Sequence, residues 1–134
     1  MSGLDADAAR EYVRTERGDV LDAVDACADA VAGRWASDST ADAAAVADPL
    51  EDCLAAAGVL DALPGVLVGA VDAAGGELRA SPVPAPPYVA VTSRGPVLRA
   101  TLEDGRLVVT LAAFRVTDDG RYERDATDVT VGVR

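Results

Sequence analysis

Apolar residues recur at helical spacing from the start of the chain: Leu4, Ala8 and Tyr12, then Val20, Val24, Cys27, Val31 and Trp35. The spacing predicts one long helix over residues 4 to 35, opened by Ser2 and Asp5 in a capping-box pattern. Gly18 marks where that helix kinks or splits, because glycine costs about 1 kcal/mol against alanine inside a helix. Asp22, Asp25 and Asp29 run beside the apolar stripe and read as a solvated face. A cation site there would need further ligands and a sharp turn that the sequence lacks. Asp7 with Arg10 and Glu11 with Arg14 form i, i+3 pairs worth only tenths of a kcal/mol.

After the polar stretch Ser37 to Thr40, Asp48 reads as an N-cap with Pro49 in the first helical position, and Leu50, Cys53, Leu54 and Ala57 share one face. Gly58 closes that helix. Pro64 opens the next, whose period through Leu63, Val66, Leu67, Ala70, Val71 and Ala74 stops at Gly75-Gly76. The helical part thus covers residues 4–75. Residues 81–87, Ser-Pro-Val-Pro-Ala-Pro-Pro, form a stiff extended connector, because proline cannot enter the middle of a helix. Its PxxP pattern, Pro84 to Pro87, is read as structural.

The last third alternates between apolar and polar positions and is punctuated by Arg94-Gly95, Asp104-Gly105 and Asp118-Asp119-Gly120. It predicts a four-stranded antiparallel meander over residues 88–133, with strands near 88 to 93, 97 to 103, 106 to 117 and 121 to 133. Two-residue loops at Asp104-Gly105 and Arg94-Gly95 would set Leu98, Ala100 and Leu102 against Leu111, Val109 and Leu107, and Val91 and Val89 beside Leu98 and Ala100. A three-residue loop with Gly120 in a bulge sets Arg115 opposite Glu123, and Val129 and Val131 opposite Val109 and Leu107. The two-residue alternative opposes Arg115 with Arg124, two like charges. Asp125 to Asp128 is a break that interrupts the fourth strand.

These registers send aliphatic side chains to one face and leave Tyr88, Arg99, Phe114, Tyr122 and Arg124 on the other, with Val97, Val108 and Thr110 between them. Three of the five aromatic residues fall there. A sheet face mixing rings, valine and arginine calls for a cover. The long first helix or the proline connector folding back would supply one from within the chain; a partner is the alternative.

Charge sharpens this picture. Residues 1 to 76 carry 15 acids and 4 arginines, whereas residues 77 to 134 carry 8 of each, so the net charge of −11 belongs to the helical half. All 12 basic residues are arginine, and Lys, Asn, Ile, Gln and His are absent. This vocabulary suits a molar-salt cytoplasm, where the Debye length falls to about 3 Å and a dense acid surface costs little. No apolar run reaches the ~18 residues of a membrane span, and no basic region precedes an apolar stretch near Met1, which sets the expectation of a cytoplasmic protein without a membrane role.

Chemistry is thinly signalled. Without histidine there is no Ser-His or Cys-His dyad, and the glycines match neither dinucleotide nor P-loop patterns, so no catalytic, metal or cofactor residues are expected. Cys27 and Cys53 lie on apolar helix faces, outside any CxxC pattern, and read as small buried hydrophobes rather than a disulfide or reactive thiols. Carboxylate acid/base chemistry is a third reading, diluted by 23 acids spread along the chain. The arginine and aromatic face admits RNA or anion binding as a second reading. Phosphate affinity falls steeply with salt, whereas apolar burial at about 25 cal/mol per Å² does not, which ranks a protein partner or homo-oligomer above nucleic acid.

The segment Pro84 to Leu102, continuing through Asp104 to Val109, together with Asp48-Pro49-Leu50, resembles a family of small uncharacterised haloarchaeal proteins. The resemblance spans most of the chain and implies the salt-adapted cytoplasmic setting; it brings no activity and no site residues. The sequence therefore predicts a single α+β domain over residues 1–134, with N-terminal helices packed on one face of the meander. Its expected role is non-enzymatic interaction or assembly.

Overall fold

The computed structural model describes residues 3–134. Four helices, α1 (Ala6–Glu16), α2 (Gly18–Ala32), α3 (Ala44–Ala56) and α4 (Val59–Ala73), occupy the first half. Five strands follow or interleave: β1 (Ser39–Thr40), β2 (Val89–Thr92), β3 (Gly95–Leu102), β4 (Gly105–Val116) and β5 (Tyr122–Val133). They form an antiparallel sheet in the order β1-β5-β4-β3-β2, giving an α+β fold.

The expected long helix is two. Asp5 caps α1 by accepting from the Ala8 N–H at 3.0 Å; Ser2 lies outside the described residues. Arg17 alone, at φ −123° and ψ 34°, separates α1 from α2, so the chain breaks immediately before Gly18. Helix α3 starts a turn upstream of the expected Asp48 cap, where Asp42 Oδ1 accepts from the Ala44 N–H at 3.0 Å. Its alanine-rich beginning has the highest helix propensity, which lets the helix run through Pro49 at the cost of the bond that Ala45 C=O would have received. Pro64 likewise lies inside α4, not at its start. Gly58, at φ 76°, ends α3 and turns the chain by 89° into α4. Among the described residues no single helix is long and apolar enough to cross a membrane.

The connector stays extended only as far as Val83, since the Ala85 N–H donates back to Val83 C=O at 2.8 Å. The Tyr88 N–H then donates to Ala85 C=O at 3.0 Å, closing a turn that contains a cis Pro86-Pro87 bond. It does not fold across the sheet: Pro82 lies near Val68 of α4, and Pro84 to Pro86 lie near Glu51 and Leu60.

Both two-residue hairpin loops sit one position earlier than expected. Thr92 pairs with Gly95 and Leu102 with Gly105, so the loops are Ser93-Arg94 and Glu103-Asp104. The glycines, at φ 140° and 139°, are the first residues of the returning strands. Every partner therefore shifts by two: Leu98 faces Val89 and Val109, and Ala100 faces Leu107. A shift of two preserves the face of each side chain, so the apolar face survives the correction. The third hairpin has the expected three-residue loop, with Gly120 at φ 78° and Arg115 opposite Glu123.

Beyond that hairpin, pairing jumps from Phe114↔Arg124 to Ala112↔Asp128, so residues 125 to 127 bulge out of β5. Val129 and Val131 consequently face Leu111 and Val109 instead of Val109 and Leu107. On the other side of β4, the N–H groups of Ala113 and Phe114 both donate to Arg94 C=O, at 2.8 and 3.1 Å. Two residues opposing one is a β-bulge, which turns consecutive side chains toward the same side. A fifth strand, β1, forms within the polar stretch Ser37 to Thr40, beyond the four expected; it pairs Ser39 with Glu123 and Thr40 with Tyr122, and Arg121 anchors it through Ser39 Oγ at 2.6 Å.

One buried cluster joins the helices to the inner sheet face, with Leu50, Leu54, Leu63 and Leu67 meeting Leu98, Leu107 and Leu111. Cys27 and Cys53 are not free: they form a disulfide that ties α2 to α3, their Cα atoms 5.7 Å apart. Both apolar helix faces were legible; that the two sulfurs meet depends on how α2 crosses α3, which periodicity does not contain.

Candidate interaction face

The sheet does not present the expected five residues together. Phe114 is 1% exposed, carried to the helix side by the bulge it shares with Ala113, and its ring centroid lies 5.7 Å from that of Trp35. Arg124, opposite Phe114, also turns inward. Its Nη2 donates to Asp25 Oδ1 at 2.7 Å and its Nε to Asp29 Oδ1 at 3.0 Å, both on α2. Its Nη1 holds Ala113 C=O at 3.1 Å, so one guanidinium fastens the bulge to the helix. Tyr122 and Tyr88 are half-buried against the core. Only Arg99 of the five stands exposed on the outer face.

The acidic stripe of α2 is correspondingly not a plain solvated face. Burial raises the Asp25 carboxyl, but hydrogen bonds from Thr127 and Arg124 outweigh it and hold the group below its ordinary value. Thr127 contributes its hydroxyl at 2.6 Å and its N–H at 2.9 Å, which is how the β5 bulge is used. Arg10 differs too: its Nε donates to Val129 C=O at 2.8 Å and its Nη2 lies 3.6 Å from Asp128, in place of the expected Asp7 pair. Neither Asp7–Arg10 nor Glu11–Arg14 is an ion pair among the described residues.

An open cleft of about 460 Å³ lies between the end of α2 and the β4–β5 hairpin. Its charged lining is already engaged, Arg115 with Glu123 at 2.8 Å and Arg124 with α2. Among the described residues no group of three or more Cys, Asp or Glu side chains converges as a metal site would require.

What remains is the outer sheet face, and its register can be written row by row. Ala90, Val97, Thr110 and Thr130 lie abreast on β2 to β5, followed by Arg99, Val108 and Gly132, and then by Thr101, Arg106 and Arg134. On the other side of the first row lie Thr92, Ala112 and Asp128. All of these side chains are exposed or half-buried, none buried. Small residues, Val97, Val108, Thr110 and Gly132, fill the middle, with Arg99 beside Val108. Arg99, Arg106 and Arg134 gather at one end and make no ion pair among the described residues.

Residues 7–134 match the model of a family described as Domain of unknown function (DUF7988). The chain belongs to this family. The DUF7988 match takes in all four helices and the whole sheet apart from the first residue of α1, so the open face lies within the matched span. No curated protein and no solved structure matches the chain.

Proposed function

We propose that this DUF7988 chain is a non-enzymatic protein-interaction or assembly domain of a salt-adapted cytoplasm, docking through the open sheet face around Val97, Val108 and Thr110. One observation supports it above others: helices cover one side of the sheet, while among the described residues nothing covers the other, a surface of valine, alanine, threonine and glycine with Arg99, Arg106 and Arg134 toward one end. Burying such a surface stabilises a complex by about 25 cal/mol per Å² before association costs, and salt strengthens that term. Asp25 and Asp119 are shifted downward, away from the raised values a carboxylate acid would need. RNA or anion binding keeps three arginines but loses Phe114 and Tyr122, which pack on the helix side, and is left with the half-buried Tyr88 beside Arg99. The disulfide is at home in an oxidising compartment and is the one feature that weighs against the cytoplasmic part of the proposal.

The test is Val108→Arg, which places a charge at the centre of the face without touching the core. In a native extract held at molar KCl, tagged wild-type chain is expected in a particle larger than its own 13.6 kDa. The variant, with an unchanged melting temperature, is expected to run free. Wild-type chain that runs alone at every salt concentration refutes the proposal, and a particle dissolved by nuclease favours the RNA reading.

A further inference from the structure

We infer that the occupant of the open face is a second copy of this chain, laid end over end on the first; the inference rests on reading that face as a docking surface. The charges at the two ends of the face are opposite in arrangement. Arg106 and Arg134 end it on one side, beside the Glu103-Asp104 turn, whereas Asp128 ends it on the other, beside the Ser93-Arg94 turn. Rotating a copy by half a turn about an axis in the plane of the face, perpendicular to the strands, keeps strand over strand and exchanges the ends. Asp128 then meets Arg106 and Arg134 of the second copy, and Arg94 meets its Asp104. Each contact occurs twice by symmetry. Rotation about an axis along the strands would instead bring Arg99, Arg106 and Arg134 of both copies to one end, at a cost in repulsion, whereas the end-over-end rotation leaves only the two Arg99 side chains near one another across the axis.

Size and shape agree with this arrangement. Three strands six residues long and β2 with its four, about 4.8 Å apart and about 3.4 Å per residue, give roughly 360 Å² of flat face, or about 900 to 1,100 Å² of accessible surface buried in total, the size of a weakly associating interface. The small side chains at Ala90, Ala112 and Gly132 let two sheets approach to the usual ~10 Å. Asp128 keeps its contact with Arg10, since both side chains are well exposed.

Sedimentation of the purified chain over a concentration series tests the inference. The wild type is expected to reach twice 13.6 kDa, and Val108→Arg to weaken the dimer by more than about 100-fold, an interface-centre effect. At the lowest salt at which the protein stays folded, Arg94→Glu and Asp104→Arg should each weaken it about fivefold, and the double exchange should recover most of the loss. Each exchange lies in its own exposed turn, so melting temperatures should not move. A purified chain that stays monomeric overturns the inference, as does a dimer that tolerates Val108→Arg or a double exchange no better than its parts. If the purified chain is monomeric but the extract holds a larger protein particle sensitive to Val108→Arg, the second copy is refuted while the docking face stands; a monomer in both removes both.

Discussion

Reducing the Cys27–Cys53 bridge should cost this protein a large share of its stability. The bridge closes a loop of 26 residues between α2 and α3. In the chain-entropy description such a loop removes about 12 cal/mol/K from the unfolded ensemble, equivalent to about 3.5 kcal/mol at 25 °C. Domains of this size have about 5 to 15 kcal/mol in total. With an unfolding entropy of about 2.1 cal/mol/K per residue, the loss corresponds to a fall of about 12 °C in melting temperature. Cys53 is half-buried beside an open cleft with Arg34, Pro49 and Asp52, which gives a reductant access, whereas Cys27 is only 3% exposed. Circular dichroism melts with and without a phosphine reductant, at one KCl concentration, measure the difference. Cys53→Ser should reproduce the reduced curve and become insensitive to reductant. Oxidised and reduced melts that agree within about 2 °C would refute the reasoning, since the constraint would then be missing or redundant.

Two further substitutions probe the sheet. Gly95→Ala should destabilise by about 2 to 4 kcal/mol, because the residue sits at φ 140° and a Cβ would collide with the Leu111 carbonyl oxygen, whereas Gly132→Ala, with open space around it, should be nearly neutral; chemical denaturation distinguishes them. Arg124→Gln should cost about 1 to 3 kcal/mol at neutral pH, discounted from a fully buried pair because Asp25 and Asp29 are partly in water. Asp25 is lowered in the folded state, so its contribution is complete above the unfolded carboxylate value and is lost as pH falls through the folded one, where the unfolded chain binds the proton first. Denaturation midpoints below neutral pH should therefore fall less steeply in Arg124→Gln than in the wild type; parallel acid limbs would contradict the role given to Arg124.

The inner face of the sheet was legible because strand parity is robust. The loop residues were misplaced by one position at two hairpins, yet each register moved by two, and Leu98, Ala100, Leu107 and Val109 stayed on the core side. What failed was a change of parity inside a strand. The bulge at Ala113-Phe114 depends on both amides meeting Arg94 C=O, a contact between residues about twenty positions apart, and the only local trace is the unalternating apolar run Leu111-Ala112-Ala113-Phe114. That single event moved Phe114 and its neighbour Arg124 from the proposed site into the interior. The helix starts failed for a different reason: Pro49 and Pro64 are strong opening signals, but alanine and leucine upstream of them propagate the helix past the proline. Of the five residues expected together on the outer face, only Arg99 is exposed there, and Val97, Val108 and Thr110, expected as the filling between them, make up the open surface.

Small-angle scattering of the purified chain in molar KCl tests the central claim, that the uncovered side of the sheet is where this protein meets its partner copy. Compact scaling gives a radius of gyration of about 14 Å for one chain and about 18 Å for two. The larger value is expected, with forward scattering of twice 13.6 kDa, returning to the smaller one in Val108→Arg. A radius of about 14 Å for the wild type at every concentration, or one that Val108→Arg leaves unchanged, would contradict it.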